Sequence, residues 1–202
     1  MKVKICGIRD LAAAKMAAAC GADFIGFIFY SKSRRYVEPD QAAAICKQVQ
    51  GCYKVGVFVD ESPAEVNRIA ELCALDFVQL HGHENAAYAG KLHYPIIKAY
   101  RWGDGFQAAA ANAYPADIIL LDSFSKGMAG GTGQAFAWRD AAAEAGLLTK
   151  PLLVAGGIDK ENAAEAAAIF QPFGIDVSGS LEIDGKKSLK KIQEFMNAVR
   201  RE

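Results

Sequence analysis

Residues 152–180 read LLVAGGIDKENAAEAAAIFQPFGIDVSGS, and this stretch decides the fold. A short apolar run at 152–155 ends in Gly156-Gly157. An alanine-rich segment of helical character follows near 160–169. A second short run at 175–177 ends in Ser178-Gly179-Ser180. Strand, glycine loop, helix and strand in that order form a βα unit and the start of another.

Working outward, the same alternation extends along the chain. Strand candidates lie at 3–6, 24–29, 54–59, 77–80, 96–99, 118–121, 152–155 and 175–177. Helix candidates lie between and after them, near 11–20, 39–50, 63–73, 84–91, 105–113, 136–145, 160–169 and 187–200. Pro39 and Pro63 sit where a helix tolerates proline, in its first turn. Gly21, Gly51 and Gly146 read as helix stops. Most strand candidates are continuously apolar, as expected of parallel strands covered on both faces. Eight βα units in 202 residues leave no sequence over. The expectation is therefore one domain over residues 1–202, a single parallel eight-stranded (β/α)8 barrel of the TIM type, with an open doubly wound sheet as the rival.

Composition narrows the function. Lysine plus arginine equals aspartate plus glutamate at 23 each, so no basic field draws in nucleic acid or an anionic membrane. The first residues lack a signal peptide's apolar core, and no apolar run reaches bilayer-spanning length. A soluble cytoplasmic protein is expected. Five cysteines, at 6, 20, 46, 52 and 73, share no metal-ligand spacing with one another or with His81, His83 and His93. Four of them read as small apolar residues; Cys6 stands apart because it ends the first strand candidate.

In such a barrel, chemistry belongs to the strand C-termini and the loops after them. Cys6-Gly7, Ser33-Arg34-Arg35-Tyr36, His81-Gly82-His83, Asp122, Gly156-Gly157 and Ser178-Gly179-Ser180 all fall there. Glycines let backbone N–H groups approach an anion, and the loops after strands seven and eight are where barrel enzymes commonly hold phosphate. Gly130-Gly131-Thr132-Gly133 lacks the Gly-Lys-Ser/Thr ending of a nucleotide loop. The stretch 123–134 reads as a long loop, either a lid or a simple connection.

These residues together resemble the phosphoribosylanthranilate isomerase family of tryptophan biosynthesis. The resemblance rests on an ordered set: Lys4-Ile5-Cys6-Gly7-Ile8, Ser33-Arg34-Arg35-Tyr36-Val37, Val78-Gln79-Leu80-His81-Gly82, Leu121-Asp122-Ser123, Ala155-Gly156-Gly157-Ile158 and Asp176-Val177-Ser178. It implies an aldose–ketose (Amadori) isomerase acting on a small phosphosugar without metal or organic cofactor. It makes Cys6 the general base, Asp122 the general acid and Arg35 the partner of the anthranilate carboxylate. Gly156, Gly157, Ser178, Gly179 and Ser180 become the phosphate site. His81, on the same rim, is a candidate for a further substrate contact, with a solvated loop residue as the alternative. Three departures stand out: Ser178-Gly179-Ser180 replaces Ser-Ser-Gly, Arg34 replaces a proline and is a rival to Arg35, and Ala137 replaces an aspartate. An indole-glycerol-phosphate synthase would be expected to show a lysine and glutamate set instead. A different or non-catalytic phosphosugar-binding barrel stays open.

The roles set requirements. An ordinary aspartate holds a proton in about one molecule per thousand at pH 7, so the acid needs the apolar run before it to exclude water. A thiol is only a few per cent thiolate at neutral pH. Lys4, two residues before Cys6, points to the same face of the strand and is placed to help.

Overall fold

The computed structural model describes residues 1–122 and 132–200. Strands and helices alternate: β1 (Lys2–Cys6), α1 (Leu11–Ala19), β2 (Phe24–Ile28), α2 (Pro39–Cys46), β3 (Tyr53–Phe58), α3 (Pro63–Leu72), β4 (Phe77–Leu80), α4 (Ala86–Ala89) and β5 (Ile96–Arg101). The series continues with α5 (Ala108–Ala113), β6 (Ile118–Asp122), α6 (Thr132–Ala145), β7 (Leu152–Ala155), α7 (Ala163–Phe170) and β8 (Gly174–Val177). A 3-10 turn at Gly179–Leu181 leads to a two-stranded hairpin, β9 (Glu182–Ile183) and β10 (Lys186–Lys187), and then to α8 (Leu189–Arg200).

β1 to β8 pair in sequence order as a closed barrel, and the ring shuts where Lys2, Val3, Lys4 and Ile5 meet Gly174, Ile175, Asp176 and Val177 in parallel register. Closure leaves the barrel no unpaired strand edge. Two apolar clusters follow from the geometry. One fills the barrel itself with Phe24, Val55, Ile97, Ala99, Ile118, Leu120, Leu153 and Ala155. The other lies between strands and helices and includes Val3, Ile5, Ile25, Phe27, Leu80, Ile119, Leu121 and Ile175. Alternate positions of β6 thus divide between the two, which is why that run is apolar throughout.

The end of the barrel where the strands start is tied by a recurring device. Asp23, Asp76 and Asp117 precede β2, β4 and β6, and each accepts a hydrogen bond from the preceding odd strand. The donors are the N–H groups of Val3, Lys54 and Ile96, at 2.9, 2.7 and 2.8 Å. Phe24 packs against Tyr53 and Phe77 at centroid separations of 5.3 and 5.8 Å and plugs that end. These ties at the strand starts serve stability, and the chemistry is left to the opposite rim.

Helix starts follow local chemistry. Ser62 accepts from the N–H of Glu65 at 3.2 Å with Pro63 in the first turn, and Asn85 accepts from Tyr88 at 2.9 Å. Several expected boundaries need correction. α4 is one turn because Asn85 caps it and Gly90 ends it. α2 ends at Cys46, so Gly51, with φ of +83°, serves the loop and not the helix end. α6 starts at Thr132, earlier than expected, so 132–134 are helix; the rest of the expected loop, residues 123–131, lies outside the described residues. The β9–β10 hairpin was not expected: Asp184 and Gly185, at φ of +49° and +73°, make its turn, and α8 starts only after it. Among the described residues no helix is long and apolar enough to cross a membrane.

Candidate active site

At the C-terminal mouth of the barrel a cavity of about 450 Å³ is lined by Cys6, Arg34, Arg35, Gln79, His81, Asp122, Gly156, Gly157, Asp176, Ser178, Gly179 and Ser180, with apolar neighbours Ile28, Val57, Ala155 and Ile158. Every site residue expected from the sequence faces this one space. The cavity is assembled from the ends of seven strands, all but β5, so no short segment of the chain contains it.

Its floor is charged. Lys4 is fully buried, and its Nζ donates to Asp176 Oδ1 at 3.0 Å. Burial alone would lower the pKa of Lys4, but the Asp176 carboxylate and the Cys6 sulfur outweigh it and raise it. Gly26, paired with Cys6 across the β1–β2 ladder, leaves room for this floor. A Cβ there would lie 2.9 Å from Cys6 Sγ and 3.2 Å from Lys4 Nζ. Burial pushes the Cys6 thiol above its usual range. Lys4 and Lys187 pull it down, and Asp176 pushes it further up. Contrary to the expectation for a base, the balance in this structure favours the thiol, and Lys4 limits the rise without reversing it. The other cysteines behave as apolar fillers; burial pushes Cys46 up to about 12 and Cys73 to about 11.

Asp122 closes β6, half-buried, opposite Ala155 of β7 and Arg101 of β5. The run before it, Ile118, Ile119, Leu120 and Leu121, is buried throughout, which puts an apolar wall behind the carboxyl. His81 follows β4. Burial lowers its pKa, with Asp122 opposing and Lys4 reinforcing, so the surroundings favour the neutral ring. His83 is on the outer side of the loop, 97% exposed, with Nδ1 3.2 Å from Asp60, and it does not line the cavity.

On the β7 and β8 side, Gly156 and Gly157 have φ of +94° and +67°, a left-handed backbone that favours glycine. Their loop turns sharply and faces its main chain to the cavity. Ser180 Oγ donates to the carbonyl of Ile158 at 2.6 Å, which ties the two glycine loops together, and Ser178 Oγ donates to the carbonyl of Cys6 at 3.0 Å. Gly179 has no positive φ, so the departure at this position is not a demand of the backbone; a Cβ there would lie 3.1 Å from Arg35 Nη2.

Arg35 lies across Gly7, where a Cβ would meet its Cδ at 2.7 Å. Its Nε and Nη2 donate to the two carboxylate oxygens of Glu182 at 2.5 and 3.0 Å. Lys187 Nζ donates to the same carboxylate at 2.9 Å and to the Ser178 carbonyl at 3.0 Å. Burial would raise the Glu182 pKa, but the hydrogen bonds from Arg35 and Lys187 bring it down to about 2. Arg34 is 73% exposed and 3.8 Å from Glu182, so Arg35 is the arginine held in place over the cavity.

Sequence reasoning missed Gln79, Asp176, Glu182 and Lys187 as parts of this site. Gln79 and Asp176 were signalled as polar residues inside apolar strands. Glu182 and Lys187 are brought in by the unexpected hairpin, whose only local signal is Asp184-Gly185. A second cavity of about 780 Å³, lined by Tyr100, Arg101, Asp104 and Tyr114 among others, shares His81 with the first. Its wall holds the buried Lys98–Glu84 pair at 2.8 Å, which anchors the loop after β4 through the Asp60 and Gly82 amides. Among the described residues no group of three or more His, Cys, Asp or Glu is placed to hold a metal ion.

Residues 3–198 match the family described as N-(5'phosphoribosyl)anthranilate (PRA) isomerase. An N-(5'-phosphoribosyl)anthranilate isomerase from Desulforamulus reducens is 42% identical over 99% of this chain and 95% of its own length. One from Pseudomonas fluorescens is 45% identical over 100% and 96%. The phosphoribosyl anthranilate isomerase of Thermotoga maritima superposes with a TM-score of 0.89 at 33% identity, covering both chains fully. A phosphoribosyl anthranilate isomerase in complex with reduced 1-(o-carboxyphenylamino)-1-deoxyribulose 5-phosphate superposes at 0.85 with 32% identity, again over both full chains.

Proposed function

The chain belongs to the N-(5'-phosphoribosyl)anthranilate isomerase family, and from that premise we propose that its barrel is one catalytic domain that carries out an intramolecular aldose–ketose (Amadori) rearrangement in tryptophan biosynthesis, in the cytoplasm. The substrate is N-(5'-phosphoribosyl)anthranilate and the product 1-(2-carboxyphenylamino)-1-deoxyribulose 5-phosphate. Asp122 gives a proton to the furanose ring oxygen as the C1–O bond breaks, and the nitrogen lone pair forms the C1=N iminium. Cys6 takes the proton from C2, and the electron pair of that C–H bond moves to form C1=C2 and neutralise the nitrogen. The resulting enolamine becomes the ketone when C1 gains a proton and the C2 hydroxyl loses one. C1 is reduced and C2 oxidised, with no external electron carrier.

The remaining groups position the two ends. The loops at Gly156-Gly157 and Ser178-Gly179-Ser180 receive the phosphate through main-chain donors, which suits a chain of zero net charge. Arg35 meets the anthranilate carboxylate with the guanidinium N–H groups that Glu182 does not hold. The observation that carries this reading is the convergence of Cys6, Asp122, Arg35 and both glycine loops on one cavity.

The test follows the fluorescence of phosphoribosylanthranilate as purified protein consumes it. Cys6→Ser and Asp122→Asn should each lower kcat by about 10²–10⁴-fold, the range for losing an acid or base. Both should still bind the reduced product analogue. Full turnover in either variant would sink the assigned roles, and binding without turnover by the unaltered protein would sink the reaction.

A further inference from the structure

Among the described residues, Gln79 is the one lining the cavity whose buried polar atom lacks a partner. It sits in β4, opposite Val57 of β3, inside a strand otherwise made of apolar residues. The residue is 1% exposed. Its Nε2 donates to His81 Nδ1 at 3.0 Å, whereas its Oε1 is buried with no hydrogen-bond donor among the described residues. A buried acceptor left unsatisfied is costly, so a carbonyl in that condition in the wall of a cavity calls for a donor that the described residues do not supply.

The two ends of the amide have linked consequences. A neutral imidazole has one donor and one acceptor nitrogen, and the hydrogen bond at one decides the other. With the amide N–H on Nδ1, the ring proton is on Nε2 and His81 is a donor. Rotating the amide by half a turn would reverse both assignments, making Nδ1 the donor and placing an amide N–H toward the cavity. The phosphate and the carboxylate of the substrate bring no donor at neutral pH. Its sugar hydroxyls do.

Resting on the isomerase reading above, we propose that Gln79 is a substrate-binding and positioning residue. Its carboxamide holds His81 in the Nε2–H form, as a donor to the substrate, and its own carbonyl oxygen accepts a hydrogen bond from a hydroxyl of the sugar chain.

The experiment compares wild type with Gln79→Met, close in shape but without the amide, and Gln79→Glu, which can only accept from His81 when ionised. Affinity for the reduced product analogue is measured by calorimetry, turnover by fluorescence, and the His81 tautomer by ¹⁵N NMR. Wild type should show an unprotonated Nδ1. Gln79→Met should bind the analogue about tenfold more weakly, and Gln79→Glu should move the ring proton to Nδ1. Wild-type affinity in Gln79→Met, or a protonated Nδ1 in wild type, would overturn the proposal; the second reading needs no variant to fold. Wild-type turnover of phosphoribosylanthranilate is the separate control. Its absence would count against the isomerase reading itself, and its presence with an unaffected Gln79→Met counts against Gln79 alone.

Discussion

Replacing Asp176 with asparagine removes the carboxylate that balances Lys4 at hydrogen-bond distance in the floor of the cavity. Lys4 has no exposed surface and its Nζ is 3.0 Å from the Asp176 carboxylate, so the variant leaves a buried ammonium facing a neutral amide. Breaking a buried pair from one side costs about 3–5 kcal/mol. For a chain of this size each kcal/mol moves Tm by about 2–4 °C, so the variant should melt roughly 6–20 °C below wild type. Replacing both partners, Lys4→Met with Asp176→Leu, removes the unpaired charge and should recover most of that loss. The assay is thermal unfolding followed by circular dichroism at pH 7 on wild type, both single variants and the double variant, read as a double-mutant cycle. The same proteins report on Cys6 through the pH dependence of its alkylation. Asp176 pushes the thiol up and Lys4 pulls it down, so Asp176→Asn should move the midpoint lower and Lys4→Met higher. An Asp176→Asn protein melting within a degree or two of wild type, or a double variant showing the full sum of both losses, would refute the reasoning.

Three further outcomes are expected. The pH dependence of kcat/KM should show its rising limb above neutrality, because burial holds the Cys6 thiol above its usual range; Lys187→Met should move that limb higher still, since Lys187 acts against the rise. The Glu182 carboxyl, brought down to about 2, contributes stability that is complete above the ordinary glutamate range near 4.5 and is lost as pH falls toward 2. Urea unfolding between pH 5 and 2 should therefore show a steeper acid loss in wild type than in Glu182→Gln. Gly156→Ala forces a side chain onto a backbone at φ of +94° and should raise KM about tenfold, with melting measured alongside to separate distortion from unfolding. An unchanged KM would show that the loop after β7 does not need this shape.

Much of this architecture was legible in the chain. The eight apolar runs fall on β1 to β8 with ends displaced by no more than two residues, because a parallel strand covered on both faces writes its whole length in apolar side chains. The place of Cys6 and Asp122 on the rim was legible because each ends such a run, whereas the role expected of Cys6 came mostly from the family resemblance. Gln79 is harder to see: within Phe77-Val78-Gln79-Leu80 a single polar residue marks the inward face, and only barrel closure shows that this face is the cavity. Lys4 was visible by its spacing from Cys6, but its partner Asp176 becomes a partner only when β8 pairs with β1. Glu182 and Lys187 depend on a hairpin whose Asp-Gly turn was present in the sequence and was absorbed into the approach to the last helix. The sign of the Cys6 shift was not legible, because it is a contest between burial and two lysines that no spacing expresses.

The Lys4–Asp176 contact joins positions 172 residues apart. A ribosome releasing this chain has made most of the barrel before either member of that pair can meet the other. Until β8 arrives, β1 has one neighbour, a lysine with nothing to neutralise it and a cysteine with one wall missing. Reactive chemistry therefore appears late and all at once, when the ring shuts. Loop closure over such a separation is slow compared with helix formation, and fragments ending before β8 should bind no phosphosugar however much helix they contain.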